Sequence, residues 1–205
     1  HVACAHEFCP DSIVESLLEM NPSALLTKCV LGNGTGSLAS QDGTAQIDDY
    51  VVDGTPLHYM LKMRSALRLS IVQMVVECDE SVLGTMGVYQ VGGGEEEYTI
   101  SSTISPLDCL VRNESIGDMV DILRYILRCM KDQSVEVVDN NRRFVSPLHL
   151  ICQNPKATRK AVEVILKEFP GLMTRFSEFD EQLLTFSAET SSSWVTLSRF
   201  AFLIF

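Results

Sequence analysis

The sequence has few basic residues, no paired cysteine motif and no long apolar run. Lys and Arg number 16 against 27 Asp and Glu, and a net charge of -11 repels phosphate backbones, so we expect no nucleic-acid partner. None of the seven cysteines stands in a CxxC pair, which favours a reduced, intracellular and cytoplasmic setting. The apolar stretch 194–205 is interrupted by Arg199, whereas a membrane helix needs about 20 residues. We therefore predict no membrane span in the visible chain.

A phosphate-binding loop is absent as well. The glycine run 92–94 is followed by three glutamates and belongs to neither a GxxxxGK[ST] nor a GxGxxG motif, so it would repel phosphate. A hydrophobic content of 46% excludes disorder throughout. The chain begins at His1 in the middle of the pattern described next, and we expect it to be a piece of a longer protein.

What the sequence does have is an internal repeat. The segment Gly54-Thr55-Pro56-Leu57-His58 returns, altered, as Ile104-Ser105-Pro106-Leu107-Asp108 and as Val145-Ser146-Pro147-Leu148-His149. The same 21-residue spacing separates three pairs of residues: His1 and Pro22, His58 and Asp79, and His149 and Pro170. Repetition on this scale is typical of stacked supersecondary units, whose function usually lies in an extended surface and not in a catalytic pocket.

Each repeat predicts two helices joined by a turn. The first helix begins at the proline of the motif, and the hydroxyl residue before it can cap the free backbone amides. The second helix is predicted from apolar residues at helical spacing: Val14, Leu17 and Leu18; Ile71, Met74 and Val75; Leu123, Ile126 and Leu127; Val162, Ile165 and Leu166. Its expected caps lie at Pro10-Asp11-Ser12, at Ser65, at Asn113-Glu114-Ser115 and at 155–158.

These residues resemble the ankyrin repeat, a motif of about 33 residues that carries Thr-Pro-Leu-His at the start of its first helix. The resemblance extends from His1 to about Glu189. It implies an all-α fold, a solenoid of four to five helix-turn-helix units with long β-hairpin or loop insertions. We assign the array to 1–190, with units at about 1–50, 51–103, 104–143 and 144–180 and a degenerate unit at 181–205. The end of that last stretch, 191–205, is read as an apolar cap or a truncated tail.

The resemblance gives the motif residues a structural role. Thr55 and His58, and likewise Ser146 and His149, would hydrogen-bond between neighbouring turns and tie one unit to the next. Asp108 replaces the motif histidine in the third unit and cannot donate a hydrogen bond when ionised, so we expect a looser interface there. The structural set is Thr55, Pro56, Leu57, His58, Ser105, Pro106, Leu107, Ser146, Pro147, Leu148 and His149.

Two connections, 28–53 and 84–103, are longer than the family pattern requires, and we predict extended β-hairpin fingers in both. The second alternates apolar and polar residues around its glycine run, as expected for a strand, a turn and a strand. These insertions are either passive surface loops or an enlargement of the binding edge. In the second case Tyr50, Tyr89 and Tyr98, near the finger bases, would anchor a partner.

The resemblance implies a rigid scaffold that binds another protein or domain through a concave groove formed by the first helices and the fingers. The acidic balance favours a partner with a basic patch. We expect no enzyme activity, no metal and no cofactor, because the HxxC pairs at His1–Cys4 and His149–Cys152 follow the repeat register. One alternative is a regulatory or tethering region of a larger enzyme or membrane protein. Another is a Cys/His-dependent hydrolase or metal-binding protein, using His58 with Cys109 or His149 with Cys152.

Overall fold

The computed structural model describes residues 1–6, 9–29, 50–91, 100–132 and 147–171, and this part of the chain is mostly helical. Short 3₁₀ turns at Pro22–Leu25 and Glu80–Leu83 follow two of the helices. No helix in these ranges is long and apolar enough to cross a bilayer. The helices and strands, in chain order, are α1 (Val2–Ala5), α2 (Asp11–Met20), β1 (Tyr50–Asp53), α3 (Pro56–Met63), α4 (Leu69–Cys78), β2 (Gly87–Val91), β3 (Ile100–Ile104), α5 (Pro106–Val111), α6 (Val120–Asp132), α7 (Pro147–Gln153) and α8 (Arg159–Glu168).

In the second, third and fourth pairs, the first helix begins at a proline. Helices α3, α5 and α7 start at Pro56, Pro106 and Pro147, which confirms the predicted starts. Proline suits this position because the first amides of a helix have no partner within the helix, so its missing N–H is not needed there. Ser105 caps α5, since its hydroxyl accepts a hydrogen bond from the Asp108 amide at 3.1 Å. Ser146 lies outside the described residues.

The second helices bury most of the predicted stripe. Val14, Ile71, Leu123 and Val162 are each at most 1% exposed. Leu17, expected on the same face, is instead 45% exposed. The predicted cap at Ser65 is also wrong, because α4 begins only at Leu69 with Arg68 at its N-cap and no side-chain cap. The intervening turn is occupied by Arg64, which is 4% exposed and binds to the preceding helix pair.

The helices pack in two layers that follow chain order. In the first layer α1 packs on α3, α3 on α5, and α5 on α7; in the second, α2 packs on α4, α4 on α6, and α6 on α8. Buried apolar residues from all four helix pairs form one core cluster between the layers. The four pairs lie within the ranges 1–50, 51–103, 104–143 and 144–180. The predicted degenerate unit, 181–205, and the apolar end, 191–205, lie outside the described residues.

A three-stranded antiparallel sheet, in the order β1-β2-β3, is formed by the two connections that flank the second helix pair. Strands β2 and β3 pair in register from Gly87 with Ile104 to Val91 with Ile100, which confirms the predicted strands of the second finger. Strand β1 belongs to the first finger and pairs with β2. The rest of that finger, 30–49, and the tip of the second, 92–99, lie outside the described residues.

Candidate functional site

The second and third helix pairs meet at a buried hydrogen-bonded junction around His58. The side chain of His58 is fully buried near the start of α3. Its Nδ1 lies 3.2 Å from the Thr55 amide and 2.8 Å from the Thr55 hydroxyl. Its Nε2 lies 3.1 Å from the carbonyl oxygen of Ile104, the last residue of β3 and the second residue before α5. One imidazole therefore links the start of α3 to the entrance of the next helix pair.

The partners of the His58 ring determine its tautomer. The Thr55 amide is a donor, so Nδ1 must accept, and the proton lies on Nε2, which donates to the Ile104 carbonyl. Burial lowers the pKa of His58 to about 4, although the hydrogen bond to Ile104 acts in the opposite direction. The ring is neutral at pH 7 and is already engaged at both nitrogens, which suits a structural connector better than a general base.

Gly87, the first residue of β2, lies directly against this ring. A Cβ atom at Gly87 would stand 2.9 Å from the Asp53 carbonyl oxygen and 3.1 Å from two atoms of the His58 imidazole. Only glycine lets the strand approach both the neighbouring strand and the ring at this distance. The junction thus depends on a residue that the repeat motif does not contain.

The third copy of the motif uses Asp108 where the second uses His58. The Asp108 carboxylate accepts hydrogen bonds from the Ser105 amide at 3.0 Å and from the Ser105 hydroxyl at 2.7 Å. Together with the hydrogen bond from the Asp108 amide to the Ser105 hydroxyl, these contacts form a capping box. Asp108 therefore reproduces the local contact of His58 with the preceding hydroxyl residue.

The fourth copy is described only in part. Pro147 and Leu148 are buried at the start of α7, as Pro56, Leu57, Pro106 and Leu107 are at the starts of α3 and α5. His149 lies within α7, and its side chain and Ser146 lie outside the description. Of the three tyrosines predicted as anchors, Tyr50 pairs with Gln90 and Tyr89 pairs with Val51 in the sheet. Tyr98 lies outside the described residues.

Sequence reasoning missed a second set of links between helix pairs, which use asparagine side chains in the turns. Asn113, in the turn after α5, is 3% exposed. Its amide nitrogen lies 2.7, 3.2 and 3.0 Å from the carbonyl oxygens of Leu61, Lys62 and Arg64, all at the end of α3. Its side-chain oxygen accepts from the Ser115 amide at 2.7 Å, which shapes its own turn.

Asn154 repeats this arrangement one pair later. Its amide nitrogen donates to the carbonyl oxygens of Val111 at 2.8 Å and Asn113 at 2.7 Å, and its oxygen accepts from the Lys156 amide at 2.9 Å. Both asparagines stand seven residues after the motif proline, at Pro106 and Pro147. That shared spacing is the sequence signal that identifies them.

Arg64, eight residues after Pro56, makes the link in the turn after α3. Its guanidinium donates to the Cys9 carbonyl oxygen at 2.8 Å and to the Asp11 carboxylate at 2.9 Å. Asp11 is 7% exposed and also binds Arg68. The side-chain cap of α2 predicted within Pro10-Asp11-Ser12 is wrong, because Pro10 is the N-cap and no side chain caps the helix. The Asp11 carboxylate contacts the two arginines instead, and a buried carboxylate needs such charged partners. Each turn is thus joined to the turn before it.

All seven cysteines are free thiols. Cys109 and Cys152 are fully buried in the core, and burial raises the pKa of the Cys109 thiol, which disfavours the reactive thiolate. Among the residues for which positions are given, no group of three His, Cys, Asp or Glu side chains could hold a metal ion.

No protein-family model, curated protein or solved structure matches this chain.

Proposed function

We propose that this chain is an ankyrin-like repeat scaffold that binds another protein through the groove of its first-layer helices and fingers. The observation that supports the proposal is the chain of links Arg64, Asn113 and Asn154, which joins each turn to the preceding one. Links of this kind hold neighbouring helix pairs at a fixed spacing. A surface fixed before binding loses little conformational entropy when a partner docks.

We propose that the three-stranded sheet extends the binding surface beyond the first-layer helices. Strand β1 of the first finger pairs with β2 of the second, so the finger bases move as one body and not as two separate loops. We assign the anchoring contacts to Tyr50, Tyr89 and Tyr98, because aromatic side chains contribute most to binding at protein interfaces. The net charge of -11 favours a partner whose docking surface is basic. In this proposal the chain is not an enzyme and needs no metal or cofactor.

The test compares the sets of proteins that the intact chain and a tyrosine variant bind. The chain is immobilised, and the proteins bound from cell extract are quantified for the wild type, for the triple variant Tyr50→Ser, Tyr89→Ser and Tyr98→Ser, and for the control pair Arg159→Ser and Lys160→Ser. The control residues are exposed at the start of α8, in the second layer. We expect the triple variant to lose the specific set of bound proteins and the control to keep it. Retention of the same proteins by the triple variant contradicts the proposal.

Shortening the fingers gives a second readout. Replacement of 92–99 by a two-residue Asn-Gly turn leaves β2 and β3 in place, whereas deletion from residue 87 onward would remove the strand that covers His58. A chain with this turn and without 31–44 should keep its helical circular dichroism and lose the partners that depend on the fingers. Unchanged binding would mean that the fingers are passive loops.

A further inference from the structure

The sequence contains two tripeptides of the form Asn-x-Ser or Asn-x-Thr, whose asparagine side chain can carry an N-linked glycan. They are Asn33-Gly34-Thr35 and Asn113-Glu114-Ser115. Asn21-Pro22-Ser23 does not belong with them, because proline in the middle position excludes the transfer. Residues 33–35 lie outside the described residues, whereas Asn113 is the buried asparagine that joins the third helix pair to the second.

The sugar would be attached to the atom that makes this link. Nδ2 of Asn113 lies 2.7 Å from the carbonyl oxygen of Leu61 and 3.0 Å from that of Arg64, and both contacts are buried. Asn113 as a whole is 3% exposed. A glycan replaces one of the two protons on this nitrogen with a sugar ring, and a close-packed protein interior has no space for one. A glycosylated Asn113 therefore cannot occupy its place between the two turns.

The turn that contains Asn113 is also joined to the turn after it. The backbone carbonyl oxygen of Asn113 accepts a hydrogen bond from the Asn154 side chain at 2.7 Å. A Cβ atom at Gly117 would stand 3.0 Å from the Thr158 side chain and 3.3 Å from the Lys156 carbonyl oxygen, so the two turns are closely packed. A sugar that displaced the Asn113 turn would therefore disturb the second, third and fourth helix pairs together.

Glycan transfer takes place on a chain that is still entering the endoplasmic reticulum. It forms a bond between Nδ2 and the first carbon of the sugar. The bond from that carbon to a lipid-linked diphosphate breaks, the diphosphate leaves with the electron pair, and the nitrogen loses a proton. In the unfolded chain residues 61–64 are not docked on Asn113, so Nδ2 is open to this reaction. The modification would thus precede the fold that it blocks.

We infer that a glycan on Asn113 and the folded helix array exclude each other, so that the chain folds outside any compartment in which Asn-x-Ser tripeptides are glycosylated. A partner of the folded chain is then met outside such a compartment as well. The inference does not depend on the groove or the fingers, because Asn113 lies in the turn after α5 and its contacts are with other turns.

The test directs the chain into microsomes during cell-free translation, behind a cleavable signal peptide. Every version carries Asn33→Gln, which leaves Asn113 as the natural acceptor. Glycan transfer is measured as a mobility shift that endoglycosidase H reverses, and folding is measured as resistance to trypsin. We expect the glycosylated chain to be cleaved roughly tenfold faster than the same chain translated without microsomes, because cleavage follows the population of the opened chain.

Two variants serve as controls. Ser115→Ala removes the acceptor tripeptide but keeps the backbone amide that donates to the Asn113 side chain, so its resistance to trypsin should be the same with and without microsomes. Asp79→Asn, added to Ser115→Ala, creates the same Asn-Glu-Ser tripeptide at 79–81. The Asp79 carboxylate accepts from the Ser81 amide at 3.0 Å within its own exposed turn. A glycan at that position should leave the resistance to trypsin unchanged.

Three results would overturn the inference. The first is a chain glycosylated on Asn113 that resists trypsin as well as Ser115→Ala does. The second is the absence of a glycan on Asn113 in microsomes that glycosylate the Asp79→Asn chain, because folding would then be faster than the transfer. The third is equal sensitivity to trypsin of the chains glycosylated at the two positions, because the effect would then not depend on the buried Asn113 link.

Discussion

The buried surroundings of His58 favour the neutral form of its imidazole. Burial lowers its pKa to about 4, from about 6.5 in an unfolded chain, so the unfolded state takes up a proton more readily than the folded state. Its contribution to stability is complete above pH 6.5 and is lost as the pH falls toward 4. Between pH 7 and pH 5 we expect a loss of about 2 kcal/mol in the free energy of unfolding from this residue alone.

Denaturant titrations of the wild type and of His58→Leu at both pH values isolate this effect, because the other ionisable groups are common to the two proteins. The advantage of the wild type over the variant should shrink from pH 7 to pH 5. A constant difference would mean that His58 titrates normally in the folded chain.

Gly87 and Gly84 form a matched pair for testing the close approach at the junction. A methyl group at Gly87 would meet the Asp53 carbonyl at 2.9 Å and the His58 ring at 3.1 Å, whereas at Gly84 the nearest atom is 3.8 Å away. We expect Gly87→Ala to lower the free energy of unfolding by roughly 1–3 kcal/mol. Gly84→Ala should change it by less than about 1 kcal/mol. Chemical denaturation measures both, and equal effects would show that the strand has room to move.

At the scale of elements, the turns join one helix pair to the next. The side-chain NH2 of Asn113 lies within 3.2 Å of three carbonyl oxygens of the preceding pair, and its removal would take this donor away from the two buried ones, those of Leu61 and Arg64. We expect Asn113→Ala to lower the free energy of unfolding by about 3 kcal/mol. Gln153→Ala, at an exposed position one residue before Asn154, is the control and should have little effect. Similar unfolding midpoints for the two variants in a urea titration would contradict the stabilising role of the Asn113 hydrogen bonds.

The helices could largely be predicted from the sequence, whereas the hydrogen bonds that join one helix pair to the next could not. Proline and the apolar spacing determine where α3, α5 and α7 start and which face of α6 is buried, because these are local preferences of the chain. The role of Asn113 depends on carbonyl groups about 50 residues away, and a turn asparagine has many local uses. Leu17 fits a helical core pattern, but its exposure depends on which helix lies beside α2. The hydrogen bond of the His58 ring to Ile104 is likewise not local, since the two residues are 46 positions apart.

For the whole molecule, packing in chain order predicts that stability is shared only between neighbours. Weakening one link should separate the chain into two blocks that open independently. In Asn113→Ala, amide hydrogen exchange should accelerate to different extents in the helices before and after the junction between α4 and α5. In Asn154→Ala, the change in exchange rate should occur at the junction between α6 and α7 instead. Exchange that accelerates uniformly through all helices in both variants would indicate a single cooperative core.

The links at the turns have a common direction. Arg64, Asn113 and Asn154 each donate to groups of the helix pair that precedes them in the chain. On the ribosome, each of these side chains emerges after its acceptors have already left the exit tunnel. The growing chain can therefore fold one helix pair at a time from its N-terminal side, before the later pairs are synthesised.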